Sequence, residues 1–454
     1  MNPRPGVYET SALPLSYGGA ANFWRSDYNR SQGKPTSAMT NIAMLSYHTC
    51  PLAVLGGKDT GGMNVYVREL THNLGRLGIH VDVFTRSQDE HVPHVLHDLG
   101  YGNRIVHIPA GPEVPRPKIE LPDYLPEFVE GINKFAREKN IHYDLIHSHY
   151  WMSGIAGLSL KHEWKVPILQ MFHTLGRMKN IVAQSPSEKE DEARISGEEK
   201  ILEIADCIIF STPAEEQQIK NLYQHQLKKF RIIPPGVDTS RFYPISTDEA
   251  RQAIGVPSQN CMLLYVGRIE PLKGIDTLIR AIALMDRTGI MSECPHFLAI
   301  IGGDPNTSEG ELSHEMQRLQ SLCDELKVDD LVIFLGKQNQ ETLPYYYSAA
   351  QVVIVPSHYE SFGLVALEAM ACGTPVVASQ VGGLAYLIQD GITGFSIPDG
   401  DPHLLAARLT TLISDENLRN RMGKQANAYA QSYDWQIIAG QMSQLYSKLI
   451  PGKF

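Results

Sequence analysis

Two glutamates flank a glycine-containing turn in the second half of the chain, within Ser357-His-Tyr-Glu360-Ser-Phe-Gly363-Leu-Val-Ala-Leu-Glu368. The apolar run 352–355 predicts a buried strand, and residues 365–370 have a helix-forming composition that should bring both acids to one face. A helix N-terminus offers free N–H groups to a diphosphate, and carboxylates accept hydrogen bonds from sugar and ribose hydroxyls. A lone pair of acids would more often be solvated surface residues. With Cys372-Gly-Thr-Pro-Val-Val behind it, the pattern favours a site for a sugar joined to a nucleoside diphosphate.

Two cations follow another apolar run, 261–266, in the segment Gly267-Arg268-Ile-Glu-Pro-Leu-Lys273-Gly274. When a nucleoside diphosphate leaves a sugar, negative charge develops on the β-phosphate. Fixed cations at that point stabilise the transition state more than the ground state, and they could make a divalent metal unnecessary. A bare R-x-x-x-x-K spacing is more often a solvated basic loop, but the position at a strand end favours a catalytic role for Arg268 and Lys273.

The first half of the chain contains a glycine-rich loop, Gly56-Gly57-Lys-Asp-Thr-Gly61-Gly62-Met-Asn64, between a predicted strand and a predicted helix. Gly61 and Gly62 have no side chains, so the backbone there could approach a ligand closely. The loop is neither a Walker loop nor a well-formed dinucleotide fingerprint. His173 ends another apolar run; such a histidine is commonly a packing residue, but a cleft position favours a role in orienting the transferred sugar.

These motifs lie on alternating apolar runs and amphipathic stretches, which predict an α/β fold with parallel, doubly wound sheets. The pattern breaks in a Pro/Gly turn at 232–238 and restarts at Cys261. Ligands of such sheets bind at the carboxyl ends of the strands, so two facing domains would enclose a cleft. We predict four parts: an irregular extension (1–38), an acceptor-binding Rossmann-like domain (39–237), a donor-binding Rossmann-like domain (238–430) and a closing helix that packs back on the first domain (431–454).

Composition narrows the function classes. A chain of 454 residues with 43% hydrophobic and 20% charged residues is typical of a soluble globular protein of two domains. Its net charge of −10 disfavours general nucleic-acid binding. No apolar run approaches the ~20 residues that cross a bilayer, and the N-terminus lacks the apolar core of a signal peptide. Six scattered cysteines without a Cys-x-x-Cys pair favour reduced thiols in a cytoplasmic protein over disulfides or a zinc site.

The four ordered motifs together resemble the retaining glycosyltransferases of family four, which have the GT-B architecture, over about residues 40 to 440. The resemblance implies that Glu360 and His173 contact the donor sugar, Glu368 the ribose, and Arg268 and Lys273 the diphosphate. It also implies metal-independent transfer with retention, in which the acceptor attacks from the face that the diphosphate leaves and the departing phosphate takes its proton. We expect no required cofactor, with Mg²⁺ at most stimulatory. Further donor contacts are expected at Gly61, Gly62, Phe362, Gly363, Leu364 and Val365, and beside the base at Lys337 and Gln338.

A further set of side chains indicates a phosphorylated acceptor: Lys118, Tyr150, Thr174, Arg177 and Arg194. Lysine and arginine supply charge and forked donors, while tyrosine and threonine supply hydroxyls, which suits a phosphate monoester. Taken singly, each basic residue would more often be a solvated surface charge. As a group they resemble the acceptor-phosphate ligands of two branches of the family, the sucrose-phosphate synthases and the inositol-phosphate glycosyltransferases of the mycothiol pathway.

The two branches differ in acceptor and in local sequence. Gly61-Gly62-Met-Asn-Val-Tyr-Val and His147-Ser-His-Tyr-Trp are closer to the inositol-phosphate branch, and His173-Thr-Leu-Gly176-Arg177-Met-Lys179 to the sucrose-phosphate branch. Because the last segment should lie beside the acceptor phosphate, we predict glucose transfer from UDP-glucose to fructose 6-phosphate, with a separate sucrose-phosphate phosphatase. N-acetylglucosamine transfer to inositol phosphate remains the alternative. A sucrose synthase, a GT-B epimerase or hydrolase, a binding module and a Rossmann dehydrogenase fit the motifs less well.

Overall fold

A computed structural model describes residues 40–53, 60–183, 186–226, 229–257, 259–287, 296–303 and 314–453, all within one structural unit that spans 39–454. The predicted extension over 1–38 and the glycine pair Gly56-Gly57 lie outside the described residues. The α/β prediction is confirmed, since two largely parallel sheets are each covered by helices. No described helix has the length and apolarity that crossing a membrane requires.

The first sheet contains eight of the described strands in the order β3-β4-β2-β1-β5-β6-β7-β8. Only the short β3 runs antiparallel to its neighbour; the other pairings in this sheet are parallel. The bounds are β1 (Asn41–Leu45), β2 (His80–Arg86), β3 (Val95–Leu96), β4 (Arg104–Ile108), β5 (Leu145–His149), β6 (Ile168–Met171), β7 (Cys207–Phe210) and β8 (Phe230–Ile232).

The second sheet contains six described strands, all parallel, in the order β11-β10-β9-β12-β13-β14. Its central strands are apolar and buried, as expected where helices cover both faces. The bounds are β9 (Cys261–Val266), β10 (His296–Ile301), β11 (Val332–Gly336), β12 (Val352–Val355), β13 (Val376–Ser379) and β14 (Gly394–Ile397).

Helices connect the strands. Among the described residues they are α1 (Gly62–Arg76), α2 (Leu125–Lys139), α3 (Tyr150–Trp164), α4 (Gly176–Val182), α5 (Glu192–Ile204), α6 (Pro213–Leu222), α7 (Thr247–Ile254), α8 (Ile275–Arg287), α9 (His314–Leu326), α10 (Leu343–Ala349), α11 (Leu364–Ala371), α12 (Leu384–Leu387), α13 (Pro402–Ser414), α14 (Glu416–Ala430) and α15 (Trp435–Leu449). Short 3₁₀ turns occur at Lys118–Tyr124, Pro186–Glu188, Pro271–Lys273 and Gln431–Tyr433.

In each sheet the strand order reverses at a central pair, β1 with β5 and β9 with β12. Crevices beyond the carboxyl ends of such pairs are the usual ligand sites of doubly wound sheets. Residues from 267 onward follow β9, residues from 356 onward follow β12, and Tyr150 follows β5. The topology therefore brings the candidate chemistry to the switch points of the two sheets.

The chain passes between the two sheets at two places, which pair with each other. The Val237 N–H donates to the Tyr433 carbonyl (2.8 Å), and the Trp435 N–H donates to the Val237 carbonyl (3.2 Å). A side chain on Gly236 would meet the Trp435 ring at 2.7 Å, so a glycine is needed where the two segments cross. From this crossing α15 runs back along α1.

Candidate active site

An ion pair joins two of the predicted catalytic residues. Lys273 Nζ lies 2.6 Å from Glu360 Oε2, and both side chains are mostly buried. Arg268, on the same loop as Lys273, pairs with Glu270 at 2.7 Å. The ends of β9 and β12 thus place a cation and a carboxylate within reach of one ligand. Such a pair suits a sugar bonded to a diphosphate, because the lysine can bind phosphate oxygens and the carboxylate can accept from hydroxyls.

Backbone contacts fix the two loops that carry this ion pair. The His358 N–H donates to the Leu272 carbonyl at 2.9 Å. Gly274 has φ +63° and packs against the backbone of Pro356. A Cβ at position 274 would be 2.1 Å from the Pro356 carbonyl oxygen. On the other side, the Gly383 N–H donates to the Glu360 carbonyl at 2.8 Å. Because backbone rather than flexible side chains makes these contacts, the separation of Lys273 and Glu360 is set by the fold.

Two helix N-termini meet beside these loops. α11 begins after Gly363, which has φ +106°, and α1 begins after Gly61; neither glycine has a side chain to cap its helix. The Gly61 N–H donates to Asn64 Oδ1 at 2.9 Å. A Cβ on Gly62 would lie 3.1 Å from Leu364 Cδ1, which shows how closely the two ends approach. Uncapped first turns leave N–H groups for an anion. The predicted donor positions at 61–62 and 362–365 are therefore brought together.

Glu368 lies in the second turn of α11 and is buried, with Oε2 accepting from the Tyr347 hydroxyl at 2.8 Å. Burial raises the pKa of Glu368 to about 7, although the Tyr347 hydrogen bond and the charges of Arg241 and Arg68 lower it. Glu360 lies before the turn, on the loop that precedes α11, so the two acids reach the candidate site from a loop and from a helix.

The residues expected beside the base follow the edge strand β11. Lys337 has an exposed side chain, and Gln338 donates to the Leu335 carbonyl at 3.0 Å. Gly336, at the end of β11, has φ +70° and accepts a hydrogen bond from Gly302 N–H at 2.9 Å. A turn at the carboxyl end of the sheet is compatible with base contacts, and the roles of Lys337 and Gln338 stay predictions.

His173 follows β6 and is partly buried beside two fully buried histidines, His147 and His149, at the end of β5. Its Nε2 is 2.9 Å from His149 Nδ1, and His147 Nδ1 is 2.8 Å from the Tyr446 hydroxyl on α15. Burial lowers the pKa of His173 and of His147 to about 3, so these rings are neutral near pH 7. His173 also has φ +62°, a strained conformation for a non-glycine residue of the kind found at functional sites.

Four of the five predicted acceptor residues lie together. Arg194 donates from Nη1 to the Tyr150 hydroxyl (3.0 Å) and from Nη2 to Thr174 Oγ1 (3.1 Å). Lys118 Nζ and the Arg194 guanidinium carbon lie 4.5 and 4.8 Å from the centre of the Tyr150 ring. The Asp191 carboxylate caps α5 by accepting from the Arg194 N–H, which fixes the start of the helix that carries the arginine. Two cations and two hydroxyls converge, as a phosphate monoester requires.

Arg177 does not join this group. Its guanidinium donates to the Leu222 carbonyl (2.7 Å) and to Glu199 (2.5 Å), and it lies over the Tyr223 ring. The prediction that it binds the acceptor phosphate is therefore not supported, because α4 directs its side chain toward α6. A residue two positions later, Lys179, lies beside the group instead.

Sequence reasoning missed three members of the acceptor group. Lys179 pairs with Glu190, which also lies 2.8 Å from Arg194 Nη1. The His48 ring centre lies 4.6 Å from that of Tyr150. Burial lowers the pKa of His48 well below its ordinary value, with smaller effects from Lys118, His173 and Arg194. The position of Lys179 in the segment Leu175-Gly-Arg-Met-Lys179 was a sequence signal that could have identified it. No neighbouring motif indicated a role for Glu190.

No group of three or more His, Cys, Asp or Glu side chains in the described parts of the chain is arranged to hold a metal ion. The candidate site is instead made of backbone N–H groups, cations and carboxylates. That the transfer reaction needs no metal ion stays a prediction.

Comparison with known proteins matches both halves of the chain to families. Residues 60–241 match the family described as Glycosyltransferase Family 4, and residues 246–429 match Glycosyl transferases group 1. The D-inositol 3-phosphate glycosyltransferase of Corynebacterium jeikeium is 40% identical over 414 residues, which cover 90% of this chain and 97% of that protein. The corresponding enzyme of Kineococcus radiotolerans is 39% identical over 91% of this chain and 97% of its own length.

Among solved structures, the sucrose-phosphate synthase of Thermosynechococcus elongatus is similar to this chain with a TM-score of 0.82. It is 37% identical, and the match covers 90% of this chain and 99% of that one. The Anabaena protein HepE, solved with UDP and glucose, has a TM-score of 0.67 at 21% identity and covers 90% of this chain and all of its own, which supports the fold alone.

Proposed function

Because the chain belongs to the family-four glycosyltransferases of GT-B architecture, we propose that it transfers glucose from UDP-glucose to fructose 6-phosphate. The products are sucrose 6-phosphate and UDP. The observation that carries the acceptor class is the convergence of Lys118, Tyr150, Thr174 and Arg194, because two cations with two hydroxyls match a phosphate monoester. The sucrose-phosphate synthase relative supports the choice of fructose 6-phosphate.

In the proposed reaction the bond between the glucose anomeric carbon and the β-phosphate oxygen breaks while the acceptor hydroxyl oxygen bonds to that carbon. The acceptor attacks from the face that UDP leaves, so the anomeric configuration is retained, and the proton of the hydroxyl passes to the departing phosphate. Lys273 and Arg268 stabilise the charge that develops on this phosphate. Glu360 accepts from the glucose hydroxyls, and the neutral His173 contacts the sugar.

A second candidate is transfer of N-acetylglucosamine from UDP-N-acetylglucosamine to inositol phosphate. The inositol 3-phosphate glycosyltransferases at about 40% identity favour it. It uses the same two parts of the site, since the acceptor again carries a phosphate and the donor a diphosphate. The two candidates therefore differ in the shape of the acceptor ring and in the substituent on the donor sugar.

The test is UDP release measured for a panel of UDP-glucose and UDP-N-acetylglucosamine against fructose, fructose 6-phosphate and inositol phosphate. We expect UDP release from UDP-glucose when fructose 6-phosphate is the acceptor, and little UDP release when fructose is the acceptor. Faster release from UDP-N-acetylglucosamine with inositol phosphate would replace the first candidate with the second. Release that needs no acceptor would indicate a hydrolase. We expect EDTA to leave the rate unchanged, because no step in the proposal uses a metal.

Replacing Lys118 with alanine tests the acceptor-phosphate site. We expect a higher KM for the phosphorylated acceptor, by about tenfold for the loss of one charged contact, and an unchanged KM for the donor. Lys118 suits this test better than Arg194, because Arg194 also neutralises the fully buried Glu198 at 2.8 Å and its loss would leave that charge unpaired. An unaltered acceptor KM in Lys118→Ala would remove this residue from the site.

A further inference from the structure

Each nitrogen of the Arg194 guanidinium already has a partner within the protein. An arginine has five N–H groups. Nε donates to Glu198 (2.8 Å), Nη2 to the carbonyl and hydroxyl of Thr174 (2.8 and 3.1 Å), and Nη1 to the Tyr150 hydroxyl (3.0 Å). Nη1 also forms an ion pair with Glu190 Oε1 at 2.8 Å. A phosphate can therefore bind Arg194 only if one of these partners is released.

The partners differ in how readily they could leave. Glu198 is fully buried and also accepts from the Gly176 N–H and the Tyr223 hydroxyl, so its release would leave several donors unpaired. The Thr174 carbonyl belongs to the backbone. Glu190 has a side chain that is 17% exposed, and its Oε1 contacts only the cations Arg194 and Lys179 among the contacts described above. Of the charged partners, Glu190 is the one that solvent can replace.

Glu190 carries a charge at any ordinary assay pH. Burial opposes its ionisation, but the charges of Arg194 and Lys179, with a smaller effect from Lys118, lower its pKa to about 2. The same three cations are the ones that a phosphate of the acceptor would need. Asn180 fixes the backbone at this point by accepting from the Glu190 N–H (2.7 Å) and donating to the Glu190 carbonyl (3.2 Å). The carboxylate is thus presented to the cations by an ordered segment.

We propose that the Glu190 carboxylate occupies the acceptor-phosphate site of the ligand-free protein, and that a phosphorylated acceptor binds by taking its place on Arg194 and Lys179. This inference rests on the proposed function, because it assumes that this group of residues binds a phosphate. An acceptor without a phosphate gains no ion pair in exchange for those it would break. Glu190 is then a specificity-determining residue that admits phosphate monoesters and disfavours neutral sugars.

The test compares Glu190→Gln with a matched control, Glu216→Gln. Glu216 has a similarly exposed side chain (19%) and an ion pair with a single lysine, Lys220, on α6. In Glu190→Gln we expect about fivefold tighter binding of inorganic phosphate by calorimetry and a KM for fructose 6-phosphate lowered by a similar factor, since a charged competitor has been removed. The KM for UDP-glucose should stay constant. Glu216→Gln should change none of these values, and melting curves establish that both variants fold.

The outcomes separate a failure of this inference from a failure of the proposed function. If Glu190→Gln raises the acceptor KM or leaves both the KM and phosphate binding unchanged, Glu190 is not an occupant of the phosphate site, and the inference is overturned while the proposed function stands. If fructose 6-phosphate and inositol phosphate both fail as acceptors but Glu190→Gln still binds inorganic phosphate more tightly, the inference is supported and the proposed acceptors are wrong. If the wild-type protein and the variant both fail to bind phosphate, the inference is overturned together with the phosphate site.

Discussion

At the scale of single residues, Lys273 and Glu360 neutralise each other across 2.6 Å. A mostly buried lysine that already has a carboxylate partner has little freedom to move. When a donor binds, the same ammonium group can contact the diphosphate without reorganising, which is the condition under which a fixed cation accelerates charge-separating chemistry.

Replacing Lys273 with alanine should therefore lower kcat by about 100-fold, the loss typical for one fixed group that stabilises developing charge. The KM for the phosphorylated acceptor should change little, since Lys118 and Arg194 lie in the other group. Steady-state rates of UDP release measure both values. An unchanged kcat would remove Lys273 from the leaving-group role. Lys424→Ala, which replaces an exposed lysine on α14, is the control.

Glu368 links donor binding to pH. Burial raises its pKa from 4.5 to about 7 in the ligand-free protein, so between these values the folded state binds more protons than the unfolded state. Ionisation of Glu368 therefore lowers the free energy of unfolding as the pH rises from about 4.5 to about 7. Ribose hydroxyls that donate to the carboxylate would favour its charged form and lower the pKa again.

UDP binding at about pH 6.5 should consequently release protons from Glu368. Calorimetry in buffers of different ionisation enthalpy measures this release. The phosphate of UDP also titrates near pH 6, so the informative quantity is the difference between the wild-type protein and Glu368→Gln. Equal proton release from the two proteins would show that the Glu368 carboxyl does not bind the ribose.

At the scale of elements, turns packed against the strand ends hold the catalytic side chains. Gly274 ends the 3₁₀ turn Pro271–Lys273 in a left-handed conformation against the Pro356 carbonyl, and it directly follows Lys273. A side chain there meets backbone rather than a flexible group, so relief requires the whole turn to shift. The position of Lys273 depends on this contact.

Gly274→Ala should lower the free energy of unfolding by about 3 kcal/mol and also lower kcat, because the clash adds to the cost of a left-handed non-glycine residue. Gly255→Ala is the matched control: it has φ +72° but no atom within 4 Å of an added Cβ. It should cost only about 1 kcal/mol and leave kcat unaltered. Similar losses from the two variants in chemical denaturation would contradict the close packing at Gly274.

At the scale of the whole molecule, α15 completes the core under the first sheet. Trp435, Ile438, Met442 and Tyr446 belong to the same buried cluster as residues of β1 and β2. The Tyr446 hydroxyl reaches His147, which stands beside His149 and hence His173. The end of the chain therefore supports the histidine group of the candidate site.

Met442→Ala should destabilise the protein by about 3 kcal/mol, because a fully buried side chain leaves a cavity. Ile437→Ala on the same helix is the control, since Ile437 is 47% exposed and its loss should cost less than about 0.5 kcal/mol. Urea unfolding measures both changes. A negligible effect of Met442→Ala would mean that α15 is not part of the cooperative core.

Apolar strands could be predicted from the sequence more accurately than strands that contain buried polar residues. Strands β9 and β12 have the bounds of the apolar runs 261–266 and 352–355, because uninterrupted apolar runs identify strands that are buried on both faces. β5 is harder to recognise, since its last residues, His147, Ser148 and His149, are polar and yet fully buried. Their burial depends on neighbours such as Tyr446, which are remote in sequence.

The amino-acid sequence by itself determined the α/β class, the strand-end location of the motifs and the inventory of cations, carboxylates and glycines, because these follow from local periodicity and residue chemistry. Only the tertiary structure decided which groups meet. Lys273 and Glu360 are 87 residues apart in sequence. Arg177 lies outside the acceptor group in which it was expected, and Glu190, for which no role was predicted, lies inside it. Contacts of that range depend on how the sheets and helices pack, which residue spacing along the chain does not encode.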